Sequence, residues 1–175
     1  MGDFRLYSKR IEFREMQISD ISKKYLGWLN DKELMRFSRQ RFKTHSFGSS
    51  REYLETFRGS DNNFVGMFAR EDGRLIGTMT IYRCGYHGTA DMGIMIGRGE
   101  GGKGYGRESW TFMLERLLGP DDIVRKVTGG TSILNTGMVN IMEGSGMERE
   151  GRRIDQELID GKPADTVLYG KRRLD

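Results

Sequence analysis

The chain has 175 residues, 36% hydrophobic and 31% charged, with a formal net charge of +4. That length fits one domain, read here as residues 1–175, and the aromatic content with modest net charge excludes a disordered chain. A lone cysteine, Cys84, excludes an internal disulfide, and no apolar run approaches the roughly 18–20 residues of a membrane span.

These features, with an N-terminus (MGDFRLYSKR) lacking a signal-type apolar stretch, lead to the expectation of a soluble cytoplasmic protein with no membrane partner. Lys and Arg are scattered among Asp and Glu, and no base-reading motif is present, so no nucleic-acid partner is expected. Two histidines and one cysteine without ligand spacing give no metal site. The 25 glycines against 2 prolines point to tight turns and close backbone approaches.

Residues 10–16 alternate around Ile11 and Phe13, a short strand. Ser19 and Asp20 signal a helix start, and Ile21, Tyr25, Trp28 and Leu29 share one helical face. Asn30-Asp31 breaks that helix, and Lys32 to Phe37 forms a second short one. Residues 38–48 read as a loop, after which Ser49 and Glu52 form a capping box for a helix carrying Tyr53, Leu54 and Phe57.

A hairpin follows, Phe64 to Ala69 and Leu75 to Tyr82, joined by a two-residue turn at Asp72-Gly73. A turn at 85–88 leads to a third strand, Thr89 to Gly97. Beyond a glycine-rich loop, Trp110, Met113, Leu114, Leu117 and Leu118 mark the strongest amphipathic helix of the chain. Ile123 to Thr128 is a strand, and Asn135 caps a helix through Met142. Strands at 147–158 and 164–171 flank a turn at Asp160-Gly161. The order predicts an α+β domain around a mixed sheet.

The chemistry concentrates in residues 89–118, where a strand ends at Gly97 and five glycines crowd the turn before the strongest helix. The first N–H groups of a helix lack intrahelical acceptors and sit at the positive end of its dipole, which suits phosphate oxygens. Glycines let a pyrophosphate approach those amides, and Lys103 adds a cation. The loop is not a Walker motif, because Lys103 is followed by Gly104, and it lacks the strand context of a dinucleotide fingerprint. The bland alternative is a flexible turn without a ligand.

The run Gly101-Gly102-Lys103-Gly104-Tyr105-Gly106-Arg107-Glu108 resembles the acetyl-CoA loop of the GNAT N-acetyltransferases, in the branch holding ribosomal-protein N-terminal and amino-sugar acetyltransferases. Tyr25 to Asp31 resembles that branch's first-helix motif, and Asn135 to Gly146 with Met147 to Gly151 resembles its Asn-led helix and later Glu-Gly.

The resemblance implies a single-domain acyl-CoA N-acyltransferase fold, a mixed, mostly antiparallel sheet with helices on both faces. It implies acetyl-CoA as donor, with pantetheine against strand residues Met92 to Gly97 and an amide near Met95 or Ile96 supporting the thioester carbonyl. Gly102, Lys103, Gly104, Tyr105, Gly106 and Arg107 would hold the pyrophosphate. Asn135 would face the pantetheine arm, cap its helix, or do both. The family's acid-bearing tyrosine aligns with Met142, and the residue that opens its loop is here Gly101.

The amine must lose a proton, and Asp91 is the first candidate base, with His87 second; a salt bridge and a solvated turn are their bland alternatives. Tyr105 or Tyr82 could stand in for the missing acid. Trp28, Asn30 and Asp31 are candidates for touching the acceptor, and Arg83, Arg41 and Lys43 for a nucleotide portion of it. The expected reaction is direct acetyl transfer to a primary amine of a small molecule, an amino sugar or sugar nucleotide. The alternatives are a protein N-terminus as acceptor and a non-catalytic CoA-binding module. A homodimer is a family expectation.

Overall fold

In the computed structural model, which describes residues 4–174, eight strands form one sheet in the order β1-β2-β3-β4-β5-β6-β8-β7. The strands are β1 Arg5–Tyr7, β2 Ile11–Glu15, β3 Asn63–Ala69, β4 Leu75–Cys84, β5 Thr89–Ile96, β6 Lys126–Ser132, β7 Glu148–Ile159 and β8 Lys162–Arg172. Every adjacent pair is antiparallel except β5 with β6. Four α-helices accompany the sheet: α1 Lys23–Leu29, α2 Phe47–Glu55, α3 Tyr105–Leu117 and α4 Thr136–Gly144.

The alternation of side chains along each strand divides the apolar residues between two faces. On one face Trp110, Met113, Leu114 and Leu117 of α3 and Met142 of α4 pack on Ile11, Phe13, Val65 and Met67. On the other, Tyr25 and Trp28 of α1 and Leu54 of α2 pack with Met16, Phe57 and Phe64. Each such side chain contributes roughly 1.5–3 kcal/mol by leaving water. The fold is therefore the acyl-CoA N-acyltransferase arrangement anticipated from the sequence, with helices on both faces of a mostly antiparallel sheet. Among the described residues no helix is long and apolar enough to cross a membrane.

Several local expectations are corrected. Strand β1 was not anticipated, because its three residues are too few to show a period. Lys32 to Phe37 forms turns, since the Asp31 carboxylate takes the Glu33 and Leu34 amides and a single i→i+4 bond, from Met35, follows. Helix α2 starts earlier than its expected cap. Ser46 Oγ accepts from the Ser49 amide and Ser49 Oγ accepts from the Ser46 amide, which leaves Glu52 outside the capping box.

Asp72-Gly73 lies within a longer turn that is closed by the Ala69 amide on the Arg74 carbonyl (2.9 Å). Strand β6 is shifted toward the C-terminus of the expected Ile123 to Thr128. The Asp122 carboxylate takes the Val124 amide, and Gly129 and Gly130, residues typical of loops, extend the strand. By contrast, Asp160 and Gly161 both adopt positive φ (52° and 77°), as a two-residue hairpin turn requires.

Candidate active site

The single parallel pairing leaves one edge of β5 open. β5 and β6 pair only over Thr89–Asp91 and Lys126–Thr128, after which they diverge. From Met92 to Ile96, β5 keeps β4 as its sole strand partner. The Gly97 amide donates to Ile76 O (2.9 Å) on the β4 side. Counting back by twos, Met95 and Gly93 also turn their peptide groups to β4, while Met92, Ile94 and Ile96 turn theirs toward the opening. Of the two amides expected to support a carbonyl, only that of Ile96 faces the gap.

The loop after β5 delivers the chain to α3 through left-handed turns at Gly99, Gly102 and Gly104, with φ of 84°, 76° and 82°. Side chains cap α1, α2 and α4, through Ser22, Ser46 and Asn135, but α3 starts at Gly104 without one. The first intrahelical bond there runs from Glu108 N to Gly104 O (3.1 Å), so the amides of Tyr105, Gly106 and Arg107 have no acceptor within the helix. A Cβ on Gly106 would lie 3.2 Å from Ile141, so this glycine lets α3 approach α4.

The cations of the loop are unequal. Lys103 is bound to Glu100 (3.0 Å), a carboxylate only 5% exposed that also receives Arg74. Burial pushes the Glu100 carboxyl up, but hydrogen bonds from Arg74 and Lys103 outweigh it and hold the group below its usual range. Arg107 is exposed, lies over Gly144, and makes no hydrogen bond or ion pair among the described residues.

On the opposite face of β5 lies a cavity of about 590 Å³ between the sheet and the α1–α2 region. Thr78, Thr80 and Tyr82 of β4 and Gly93, Ile94 and Met95 of β5 form its floor. Tyr25, Leu29 and Met35 line it from α1 and the following turns, and Ser49, Ser50, Glu52 and Tyr53 from α2. Lys43, Thr44 and His45 complete one side. Tyr53 and Tyr82 share a hydrogen bond between their hydroxyls (2.9 Å). Desolvation, reinforced by Tyr82, pushes the Tyr53 phenol well above its ordinary range, so it stays protonated.

The expected site residues separate into distinct groups. Asp91 stands beside the end of the β5–β6 pairing, opposite Tyr82 in register and one position along its face from Gly93. Thr128 donates to its carboxylate (2.7 Å). Although surface-exposed, the carboxyl is crowded by neighbouring atoms. That desolvation raises its pKa, and the Thr128 bond only partly opposes it. His87 sits exposed in the β4–β5 turn, outside the cavity lining, and its carbonyl accepts from Arg125 (2.7 Å).

Asn135 caps α4 by accepting from the Met138 amide (3.3 Å) and donates to Thr131 Oγ1 (3.0 Å). Trp28 is 4% exposed, and a Cβ on Gly97 would overlap its ring, so it packs on the base of the loop. Asn30 is taken up by both backbone groups of His45 (2.8 and 2.9 Å), which straps the cavity wall to α1. Asp31 pairs with Arg98, whose hydrogen bonds lower its pKa to about 2. Met142 is fully buried.

The arginines considered for a nucleotide are committed elsewhere. Arg83 grips Asp122 through both nitrogens (2.9 and 3.2 Å), and Arg41 holds the Ser38 and Leu158 carbonyls (3.0 and 2.9 Å). Lys43 alone of the three lines the cavity.

Sequence reasoning missed His45, Ser50 and Glu52 as cavity residues, and it gave Tyr53 only as part of a helix's apolar side. The only local signal was the Ser49 to Glu52 segment, which looked like a helix cap. Its side chains converge with β4 only once α2 is docked on the sheet.

The family model for the acetyltransferase (GNAT) domain matches residues 10–148. No curated protein matches the chain by sequence. A GNAT-family acetyltransferase from Bacillus anthracis is 16% identical over 97% of this chain and 99% of its own, with a TM-score of 0.83. Spermidine N-acetyltransferase from Vibrio cholerae, solved with CoA and spermine, is 18% identical over 95% and 97%, with a TM-score of 0.83. A ribosomal-protein α-N-acetyltransferase, solved with coenzyme A, is 15% identical over 94% and 95%, with a TM-score of 0.81. With the diverging strands, the uncapped glycine start of α3 and a family match spanning most of its length, the chain belongs to the GNAT acetyltransferases, enzymes that take their acetyl group from acetyl-CoA.

Proposed function

We propose that the protein acetylates the primary amine of a small molecule bound in the cavity between β4–β5 and α1–α2, in direct transfer within a ternary complex. One observation carries this reading. Gly93, Ile94 and Met95 line the cavity and also lie in the part of β5 that β6 leaves unpaired. Donor and acceptor would therefore meet across one strand.

The residues present suit acetyl-CoA. The open β5 edge offers amide and carbonyl groups to a pantetheine chain, and the uncapped amides of Tyr105, Gly106 and Arg107 suit diphosphate oxygens. Gly102 and Gly104 have the left-handed backbone of that cradle. Arg107, rather than the engaged Lys103, is its available cation. Bound acetyl-CoA supplies the acetyl group in activated, thioester form. The Ile96 N–H is the donor on that edge suited to an oxygen that gains negative charge.

A typical amine of pKa ~8–10 is mostly protonated near neutral pH, so it must lose a proton before it can attack. Asp91 is assigned as the acceptor of that proton. Its raised pKa makes it a better base than an ordinary surface carboxylate. Neither Asp91 nor His87 is part of the cavity lining, and His87, further off in its exposed turn, remains the second choice.

The amine acceptor is read as a hydroxylated small molecule of the amino-sugar type. The hydroxyls of Thr78 and Thr80 and the aromatic faces of Tyr25, Tyr53 and Phe64 support it. The engagement of Arg83 and Arg41 weighs against a nucleotide-linked form. Steady-state assays with acetyl-CoA and either D-glucosamine or an N-terminal peptide test the reading. Saturable acetylation of the sugar amine supports it. Turnover of the peptide alone would replace it with the protein N-terminal alternative.

A further inference from the structure

Ser50 sits in α2 and lines the cavity, yet it is only 6% exposed. Its Oγ finds no hydrogen-bond partner among the described residues. Four other buried side-chain atoms share that condition, on Arg36, Ser109, Glu157 and Thr166, and none of those residues lines the cavity. A hydroxyl withdrawn from water without a partner is destabilising. Structural packing does not account for placing one here, since an alanine would fill nearly the same space. A ligand group able to exchange a hydrogen bond would remove the cost.

The charge inventory of the same walls narrows that ligand. Among the described Asp, Glu, Lys and Arg residues, only Glu52 and Lys43 contribute to the lining. One acid against one base fits an acceptor with a single ammonium and an otherwise neutral body. A polyamine would bring several ammonium groups to one carboxylate, and a sugar nucleotide would bring its phosphates to one lysine.

We propose that Ser50 is a specificity-determining residue that hydrogen-bonds a neutral hydroxyl of the acceptor and thereby selects a hydroxylated monoamine over an aliphatic one. This rests on the cavity being the acceptor site. A site that pairs a buried polar group with its substrate disfavours the analogue lacking that group, because the pair is then left incomplete.

Isothermal titration of D-glucosamine and of cyclohexylamine into the CoA-saturated protein, wild type and Ser50→Ala, tests it. The expected result is about tenfold weaker glucosamine binding in Ser50→Ala, with cyclohexylamine within about twofold of wild type. The thermal midpoint of Ser50→Ala should not fall below that of wild type, because the lost hydroxyl has no partner in the free protein. Equal changes for both amines, or no change for either, would overturn the assignment and leave a hydroxyl satisfied by solvent. A midpoint lowered by several degrees would overturn it too, by revealing a structural bond. Acetylation of glucosamine that is indifferent to Ser50→Ala would remove the role of Ser50 alone. A wild-type protein that binds no glucosamine yet acetylates an N-terminal peptide would instead remove the small-molecule reading on which it rests.

Discussion

The proposed donor and acceptor sides of this molecule share β5 but are built from different materials. The donor side is made of backbone: a strand edge exposed by divergence, three left-handed glycines, and helix amides left uncapped. The acceptor side is made of side chains from β4, α1, α2 and the segment between the helices. A backbone site constrains residue type strongly, because positive φ favours glycine and few others. A side-chain site can be filled by many residues, and its composition is free to follow its substrate. The first therefore identifies a family and the second a specificity.

Substitutions that separate the two sides test this contrast. The largest effect is expected at Asp91, the last β5 residue paired with β6 and two positions before the cavity-lining Gly93. Asp91→Asn should lower turnover by about 10²–10⁴-fold near neutral pH while leaving acetyl-CoA affinity unchanged in a direct titration. Unaltered turnover would move the base away from β5.

Trp28→Ala comes next, at roughly 3–5 kcal/mol of folding stability in urea denaturation, because the ring is buried against Gly97. It should weaken both sides together, since the indole supports the strand they share. A loss confined to the amine KM would show that Trp28 serves the acceptor alone.

The smallest effect concerns pH. The proposed base Asp91 would act when ionised, so activity should rise with pH through its pKa, which desolvation raises above the usual value. The Thr128 hydroxyl stabilises the ionised form (2.7 Å), so its removal raises that pKa further. Thr128→Val should shift the acidic limb of the kcat/KM profile to higher pH, with acetyl-CoA affinity unchanged. A shift to lower pH would contradict the assignment.

The same contrast explains what the sequence made legible. The glycines from 97 to 106, followed by Trp110, Met113, Leu114 and Leu117, mark the loop and the helix α3 that follows it. Gly99, Gly102 and Gly104 answer a demand for positive φ, Gly97 and Gly106 one for close packing, and the apolar period is visible along the chain. Asn135 was readable as a cap for the same reason.

The cavity side was not legible. Trp28, Asn30 and Asp31 are expected at the acceptor, and in the fold they pack on Gly97, strap His45 and pair with Arg98. Ser50 and Tyr53 looked like ordinary residues of an amphipathic helix. Their place in a cavity depends on how α2 docks across β4, a relation about thirty residues away in sequence. Lys103 shows the remaining gap. Its position in the loop suggested a phosphate contact, and only the fold reveals that buried Glu100 holds it.

The central claim is that a backbone cradle at the start of α3 binds acetyl-CoA. Isothermal titration of acetyl-CoA into wild type and into a Gly104→Val, Gly106→Val variant tests it most directly, with circular dichroism as a check on folding. A β-branched residue is strained at the left-handed Gly104, and a side chain at Gly106 presses on Ile141. The account predicts saturable binding by wild type and its loss in a folded variant. Undiminished binding by that variant would contradict the account and place the donor elsewhere on the molecule.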